Sequence, residues 1–140
     1  MKPVLVDTSG FFAYLVTEDA HHAEAMRLLP ALREKRRRLV TTNAVVIETY
    51  ALLLSRVRNG RDVGVRFLDR VERGFAAVER VTKRDEARAF TLVRAHEDKD
   101  YSLCDALSFV VMERLGIEEA VAFDRHFRQY GRFRILEPTG

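Results

Sequence analysis

Val4-Leu5-Val6-Asp7-Thr8-Ser9-Gly10-Phe11-Phe12-Ala13-Tyr14-Leu15 is the stretch on which the reading of this chain turns. Three consecutive aliphatic residues read as a short buried strand, and that strand ends at an acid. Thr8 or Ser9 then opens a helix carried through Phe11, Phe12, Tyr14 and Leu15. A buried strand passing straight into a helix is the repeating unit of a parallel sheet covered on both faces. Asp7 stands at the joint. It suits the role of helix cap, and it also lies beyond the carboxyl end of a strand, where open parallel sheets bind their ligands.

The alternation continues outward from this unit. Ala25, Leu28, Leu29 and Leu32 have helical spacing within 21–37, and Leu39-Val40-Thr41-Thr42 reads as a second strand. Asn43 is the expected N-cap of a helix over 44–58, stopped by Asn59-Gly60, with a further helix over 62–73 before Gly74. Residues 75–81 read as a third strand and 83–96 as a helix. Ser102 caps a helix over 103–115 that stops at Gly116, residues 119–123 form a fourth strand, Asp124 begins a short helix, and 133–136 is the fifth strand. The expected architecture is a three-layer α/β/α sandwich around a parallel sheet of about five strands, a single domain over 1–140.

Composition sets bounds on function. With 47% hydrophobic and 32% charged residues over 140 positions, the chain has the make-up of one soluble globular domain. Its single cysteine, Cys104, excludes an internal disulfide and suits a reducing cytoplasm. The N-terminus reaches Asp7 too soon for a secretory leader, and no uncharged run is long enough for a membrane span. The net charge is only +3, but basic residues cluster at Arg33-Glu34-Lys35-Arg36-Arg37-Arg38, at Arg56, Arg58 and Arg61, and at Arg125, Arg128, Arg132 and Arg134. Solvated surface accounts for any one cluster; the excess of arginine, 20 to 4 lysines, also suits bidentate phosphate contact.

Three further acids resemble Asp7 in placement. Glu48 sits in Ala44-Val45-Val46-Ile47-Glu48-Thr49-Tyr50-Ala51-Leu52-Leu53-Leu54, apolar nearly all round, so the helix reads as mostly buried and Glu48 needs a cation, an arginine or a proton. Asp105 lies in the first turn of another apolar helix, where the helix dipole also favours an acid. Asp124 repeats the strand–acid–helix placement of Asp7, whereas Asp98 and Asp100 read as turn residues. Four carboxylates gathered at one sheet edge would repel one another unless a hard divalent cation joined them. Thr8, Ser9 and Ser102 can hold the acids or waters in place, or simply cap helices. His126, two residues past Asp124, reads as a surface or packing residue, and Cys104 as a small core residue.

Taken in order, Val6-Asp7-Thr8-Ser9, Val46-Ile47-Glu48-Thr49, Ser102-Leu103-Cys104-Asp105-Ala106-Leu107-Ser108-Phe109 and Ala122-Phe123-Asp124-Arg125-His126-Phe127 resemble the PIN-domain ribonucleases. The likeness is greatest to the VapC-like toxins of bacterial and archaeal toxin–antitoxin pairs, and it covers essentially the whole chain. It implies Mg2+, with Mn2+ as the alternative, held by Asp7, Glu48, Asp105 and Asp124, with Thr8, Ser9 and Ser102 in support. It implies endonucleolytic hydrolysis of RNA leaving 5′-phosphate and 3′-hydroxyl ends, a homodimer, and a small antitoxin partner. Arg56, Arg58 and Arg61 are the expected contacts to RNA phosphates. Two other readings compete. An aspartate-nucleophile phosphatase wants a second Asp where Ser9 stands. A catalytically silent PIN-fold binding or scaffold protein would keep the acids only as caps.

Overall fold

The computed structural model describes residues 2–138. Among them five parallel strands, β1 (Pro3–Val6), β2 (Arg38–Thr42), β3 (Ala77–Glu79), β4 (Glu119–Val121) and β5 (Arg134–Ile135), form one sheet in the order β3-β2-β1-β4-β5. The helices are α1 (Thr8–Leu15), α2 (His22–Glu34), α3 (Asn43–Arg56), α4 (Gly60–Glu72), α5 (Lys83–Ala95), α6 (Leu103–Leu115) and α7 (Arg125–Tyr130). The chain builds outward from β1 through β2 to β3, then returns to place β4 on the other side of β1. That reversal puts a crevice beyond the carboxyl ends of β1 and β4, the position at which open α/β sheets bind ligands. Across it the backbone N–H of Asp7 donates to the Val121 carbonyl at 3.0 Å.

Alternation along the strands makes the layers. Val4 and Val6 pack with Phe11, Leu28, Leu29, Leu53 and Phe67 from α1 to α4 on one face. Leu5 points the other way, joining Val40, Phe109, Met112, Ala120 and Phe127 under α6 and α7. Outside α6, α5 docks through Ala89 against Ala106, Leu107 and Val110. The result is the α/β/α sandwich that the strand–helix alternation implies. Gly10 lets α1 lie close on the end of β4: a Cβ there would stand 2.8 Å from the Val121 carbonyl oxygen. Gly60 is equally constrained, since a Cβ would fall 2.0 Å from the Leu53 carbonyl oxygen where α4 turns back on α3.

Several local expectations need correction. Thr42, not Asn43, caps α3, its hydroxyl accepting from the Val45 N–H at 3.1 Å; Asn43 Oδ1 instead accepts from the Val81 N–H at 2.9 Å. The turn is therefore one residue tighter than the composition suggests. Helix α4 begins at Gly60 rather than 62, and β3 spans three residues rather than seven. Helix α3 is not buried all round: it packs on α1, α4 and α6, while Ile47 and Leu54 are 68% and 54% exposed. Among the described residues no helix is long and apolar enough to cross a membrane.

One buried charge escaped the sequence reading. Asp85, 1% exposed, closes a capping box with Thr82 at the start of α5 and accepts from Arg114 of α6 at 2.9 and 3.0 Å. Burial pushes its carboxyl up, but the hydrogen bonds from Arg114 and Thr82 outweigh this and hold it below the ordinary value. This pair belongs to the α5–α6 contact, away from the crevice acids.

Candidate active site

Three acids reach the crevice because each begins a helix there. Asp7 caps α1, Asp124 caps α7, and Asp105 is the third residue of α6. Each is tethered through one carboxylate oxygen. Asp7 Oδ2 accepts from the Ser9 hydroxyl at 3.0 Å and the Ser9 N–H at 3.4 Å. Asp124 Oδ1 accepts from the His126 N–H at 3.1 Å. Asp105 Oδ2 accepts from the Ser102 N–H at 3.0 Å while Ser102 Oγ accepts from the Asp105 N–H at 3.0 Å, a reciprocal capping box. Capping and the gathering of charge are thus compatible, since a carboxylate has a second oxygen to offer.

Ser9 ties two of these corners together. Its Oγ, besides donating to Asp7, accepts from the backbone N–H groups of Phe123 at 2.9 Å and Asp124 at 3.4 Å. The hydroxyl's single proton and two lone pairs are all used, fixing the loop after β4 against the start of α1. Thr8 is buried; its backbone N–H acts on the Asp7 carboxyl and its hydroxyl on the Cys104 thiol, while the hydroxyl itself meets none of the acids. Of the three supporting residues expected, Ser9 and Ser102 contact the acids.

The electrostatics follow from the crowding. Asp7 is 1% exposed, and its Oδ1 is buried with no hydrogen-bond partner. Its carboxyl is pushed well above the ordinary value, first by burial, then by the charges of Asp124 and Asp105. Burial and the Asp124 charge likewise raise Asp105, against the opposing pull of Ser102 and His126. Glu48 approaches from α3: its charge, together with those of Asp7 and Asp105, acts on the Cys104 thiol, which burial above all drives upward. Cys104 therefore remains a thiol in the wall of the crevice. Glu48 is only half-buried, so the burial argument made for it fails, and what ties it to this region is its charge acting on the Cys104 thiol.

Sequence reasoning missed one member. His126 was expected at the surface or in packing; its ring does pack edge-on against Tyr101, at 5.7 Å, but its Nδ1 lies 2.7 Å from Asp105 Oδ2. The usable signal was its position two residues after Asp124, because the residue whose backbone N–H caps that acid is held next to it. Donor atoms of Asp105, Asp124 and His126 lie within 4.8 Å of one another. Ligands on opposite sides of a Mg2+ or Ca2+ ion stand roughly 4–5 Å apart, so one cation fits such a group. The bare buried oxygen of Asp7 beside two further acids supports the fit, because it lacks any donor among the described residues. The cluster could hold a divalent metal ion.

Arg56, Arg58 and Arg61 are exposed at the far end of α3 and the start of α4. Arg56 lies eight residues beyond Glu48, about 12 Å along the helix axis. The structure leaves these arginines apart from the acids.

Comparison with known proteins agrees with this geometry. A PIN domain family model matches residues 4–133. The chain is 36% identical over 130 residues to the 23S rRNA-specific endonuclease VapC20 of Mycobacterium tuberculosis, covering 91% of this chain and 94% of that one. It is 29% identical over 126 residues to a VapC ribonuclease of Archaeoglobus fulgidus, covering 88% and 78%. The crystal structure of M. tuberculosis VapC20, described as a sarcin–ricin loop cleaving toxin, superposes with a TM-score of 0.85 at 32% identity over 96% of this chain and 99% of that one. DNA-bound VapBC from Salmonella typhimurium shares the fold alone, with a TM-score of 0.68 at 10% identity over 97% and 98%. Sheet order, helix-capping acids and a family match spanning all four acid positions agree: the chain belongs to the PIN-domain family.

Proposed function

We propose that this chain is an endoribonuclease, the toxin of a toxin–antitoxin pair, which hydrolyses RNA at the crevice formed by Asp7, Glu48, Asp105 and Asp124. The observation that carries the reading is the Oδ1 oxygen of Asp7, buried, unpartnered and crowded by two other acids. A stable fold does not leave such an oxygen bare without a use for it, since a buried unpaired charge is costly. The whole-length relative VapC20 is named as an endonuclease, which supports the same conclusion.

When bound here, Mg2+ (or Mn2+ in its place) supplies the positive charge that activates a water for in-line attack and steadies the phosphorane-like transition state. The chain's own part is to position. Ser9, Ser102 and the His126 backbone each occupy one oxygen of an acid, leaving the other oxygen for a cation. The half-buried Glu48 and Asp124 form the rim over which a phosphodiester would enter. Water attack at phosphorus, with departure of the 3′-oxygen, leaves 5′-phosphate and 3′-hydroxyl ends without any covalent enzyme intermediate. Arg56, Arg58 and Arg61 would hold phosphates outside the cut. A small antitoxin covering the crevice, a homodimer and action in the cytoplasm, where ribosomal RNA is met, belong to the same proposal; light scattering decides the dimer.

The test is cleavage of ribosomal RNA, beginning with the sarcin–ricin loop that the relative's description names. Cleavage should need Mg2+ or Mn2+, stop with EDTA, and be absent from Asp7→Asn and Asp105→Asn. RNA left intact by the wild type across substrates and metals, or cut equally by all three proteins, refutes the proposal.

A further inference from the structure

We infer that His21 and Phe123 form a base-stacking subsite, in which an unpaired nucleobase of the RNA, next to the phosphate that is cut, lies on the open face of the His21 ring. The inference rests on the ribonuclease reading above and adds where the substrate is gripped. The two rings are nearly parallel, 8° apart, with centroids separated by 4.9 Å. Phe123 immediately precedes Asp124. Its backbone N–H donates at 2.9 Å to Ser9 Oγ, the same hydroxyl that holds Asp7. The stack therefore stands at the rim of the acid crevice, on a loop tied to one of the acids.

Phe123 covers one face of the His21 ring, and its other face is open. The His21 side chain stays 45% exposed in spite of the stack. Phe123 is its only ring partner among the described residues, and its one polar side-chain contact lies at the ring edge, where Nδ1 is 3.2 Å from Glu24 Oε1. The ring is also held in place. The His21 backbone N–H donates to Asp19 Oδ1 at 2.8 Å, and Nδ1 of the adjacent His22 lies 2.7 Å from the Ala13 carbonyl oxygen, fastening the start of α2 to α1. A platform fixed in advance loses little freedom when a ligand settles on it.

The chemistry of the surface fits a nucleobase. Single-stranded RNA is gripped by stacking its splayed bases on aromatic rings, histidine among them, and every base offers a flat π-face for this. The spacing fits a nucleotide, whose base and phosphate are joined through one sugar. Phe123 and Asp124 are chain neighbours with Cα atoms about 3.8 Å apart, so a base seated on His21 keeps its phosphate beside the acids. A base inside a duplex has both faces covered by its neighbours, and the subsite accordingly selects an unpaired one. A purely structural role for His21 needs only an apolar cover over Phe123, whereas stacking needs a flat outer face.

The experiment measures binding of an RNA oligonucleotide spanning the cut that the wild type makes in ribosomal RNA, using the full chain with Asp105→Asn so that the RNA is not consumed. Position 21 is His, Phe or Leu, and each nucleotide flanking the cut is replaced in turn by an abasic one. Leu covers Phe123 without a π-face; Phe keeps the face. His21→Leu should weaken binding roughly 5–100-fold and His21→Phe should recover most of it. One abasic position should weaken binding to the His21 chain by a similar factor and leave the Leu variant unaffected. Equal affinity with His and Leu at position 21, a Phe variant no better than Leu, or losses that simply multiply at every abasic position overturns the inference. The abasic series on the His21 chain needs no change at position 21, so a variant that fails to fold does not shield the inference: no sensitive position there overturns it. Ribosomal RNA left uncut by the wild type removes the ribonuclease reading and the subsite with it, an outcome distinct from cleavage that is indifferent to His21.

Discussion

Asp7 satisfies a helix with one oxygen and leaves the other unpaired in a crowded crevice. That conflict has a measurable sign. In the metal-free protein the folded carboxyl titrates above its ordinary 3.8, so within that window the folded chain binds more protons than the unfolded one. Stability then falls as pH rises through the window. In EDTA, the urea midpoint should rise as the pH is lowered from neutrality through the raised folded-state titration towards the ordinary carboxylate value, with Asp105 contributing in the same direction. Asp7→Asn, which fixes the neutral form, should flatten this dependence and raise the midpoint near neutrality while abolishing RNA cleavage. An unchanged pH slope in Asp7→Asn would show that its carboxyl carries no strain.

At the level of elements, the two ends of α6 serve different purposes. Its start delivers Asp105 to the crevice, while Arg114 in its last turn grips Asp85 of α5. Asp85 titrates below its ordinary 3.8, so its contribution is fully present above that value and is lost as pH falls through the folded one, opposite in sign to Asp7. Arg114→Met should cost about 2–3 kcal/mol in urea unfolding, less than a wholly buried pair because the arginine is partly exposed. Divalent cations should leave that loss unchanged. Helix α1 offers a second test. Gly10→Ala puts a methyl 2.8 Å from the Val121 carbonyl oxygen, and the resulting overpacking should cost about 1–3 kcal/mol. Because α1 carries Ser9, cleavage should fall more than the stability loss alone explains, measured by kcat at a temperature where the variant is folded.

Across the whole molecule, the crevice acids Asp7, Asp105 and Asp124 and the arginines of the α3–α4 turn lie at the ends of different elements. The sheet order places the acids at one switch point, while exposed Arg56, Arg58 and Arg61 lie at the α3–α4 turn. If these arginines hold RNA phosphates, replacing all three with Ala should flatten the plot of log binding constant against log salt by about 0.7 per lost contact. A slope identical to wild type makes them bystanders. The test is best run on Asp105→Asn, so that bound RNA is not consumed.

Much of the fold was legible because its signals are local. Val4-Leu5-Val6 followed by an acid, the capping box at Ser102 and the stop at Gly116 each act over a few residues, and the structure has each of them. Asp7, Asp105 and Asp124 could be picked out because a strand end or helix start is visible in one dimension. What sequence could not supply was any quantity depending on two distant segments. Whether α3 turns Ile47 to solvent depends on which helices cover it. That Asp85 meets Arg114, or that His126 meets Asp105 rather than open surface, depends on side chains 29 and 21 positions apart closing to hydrogen-bond distance. Local preference writes the helices, strands and caps into the chain, but a charge acquires its partner and its proton affinity only when packing removes the water around it.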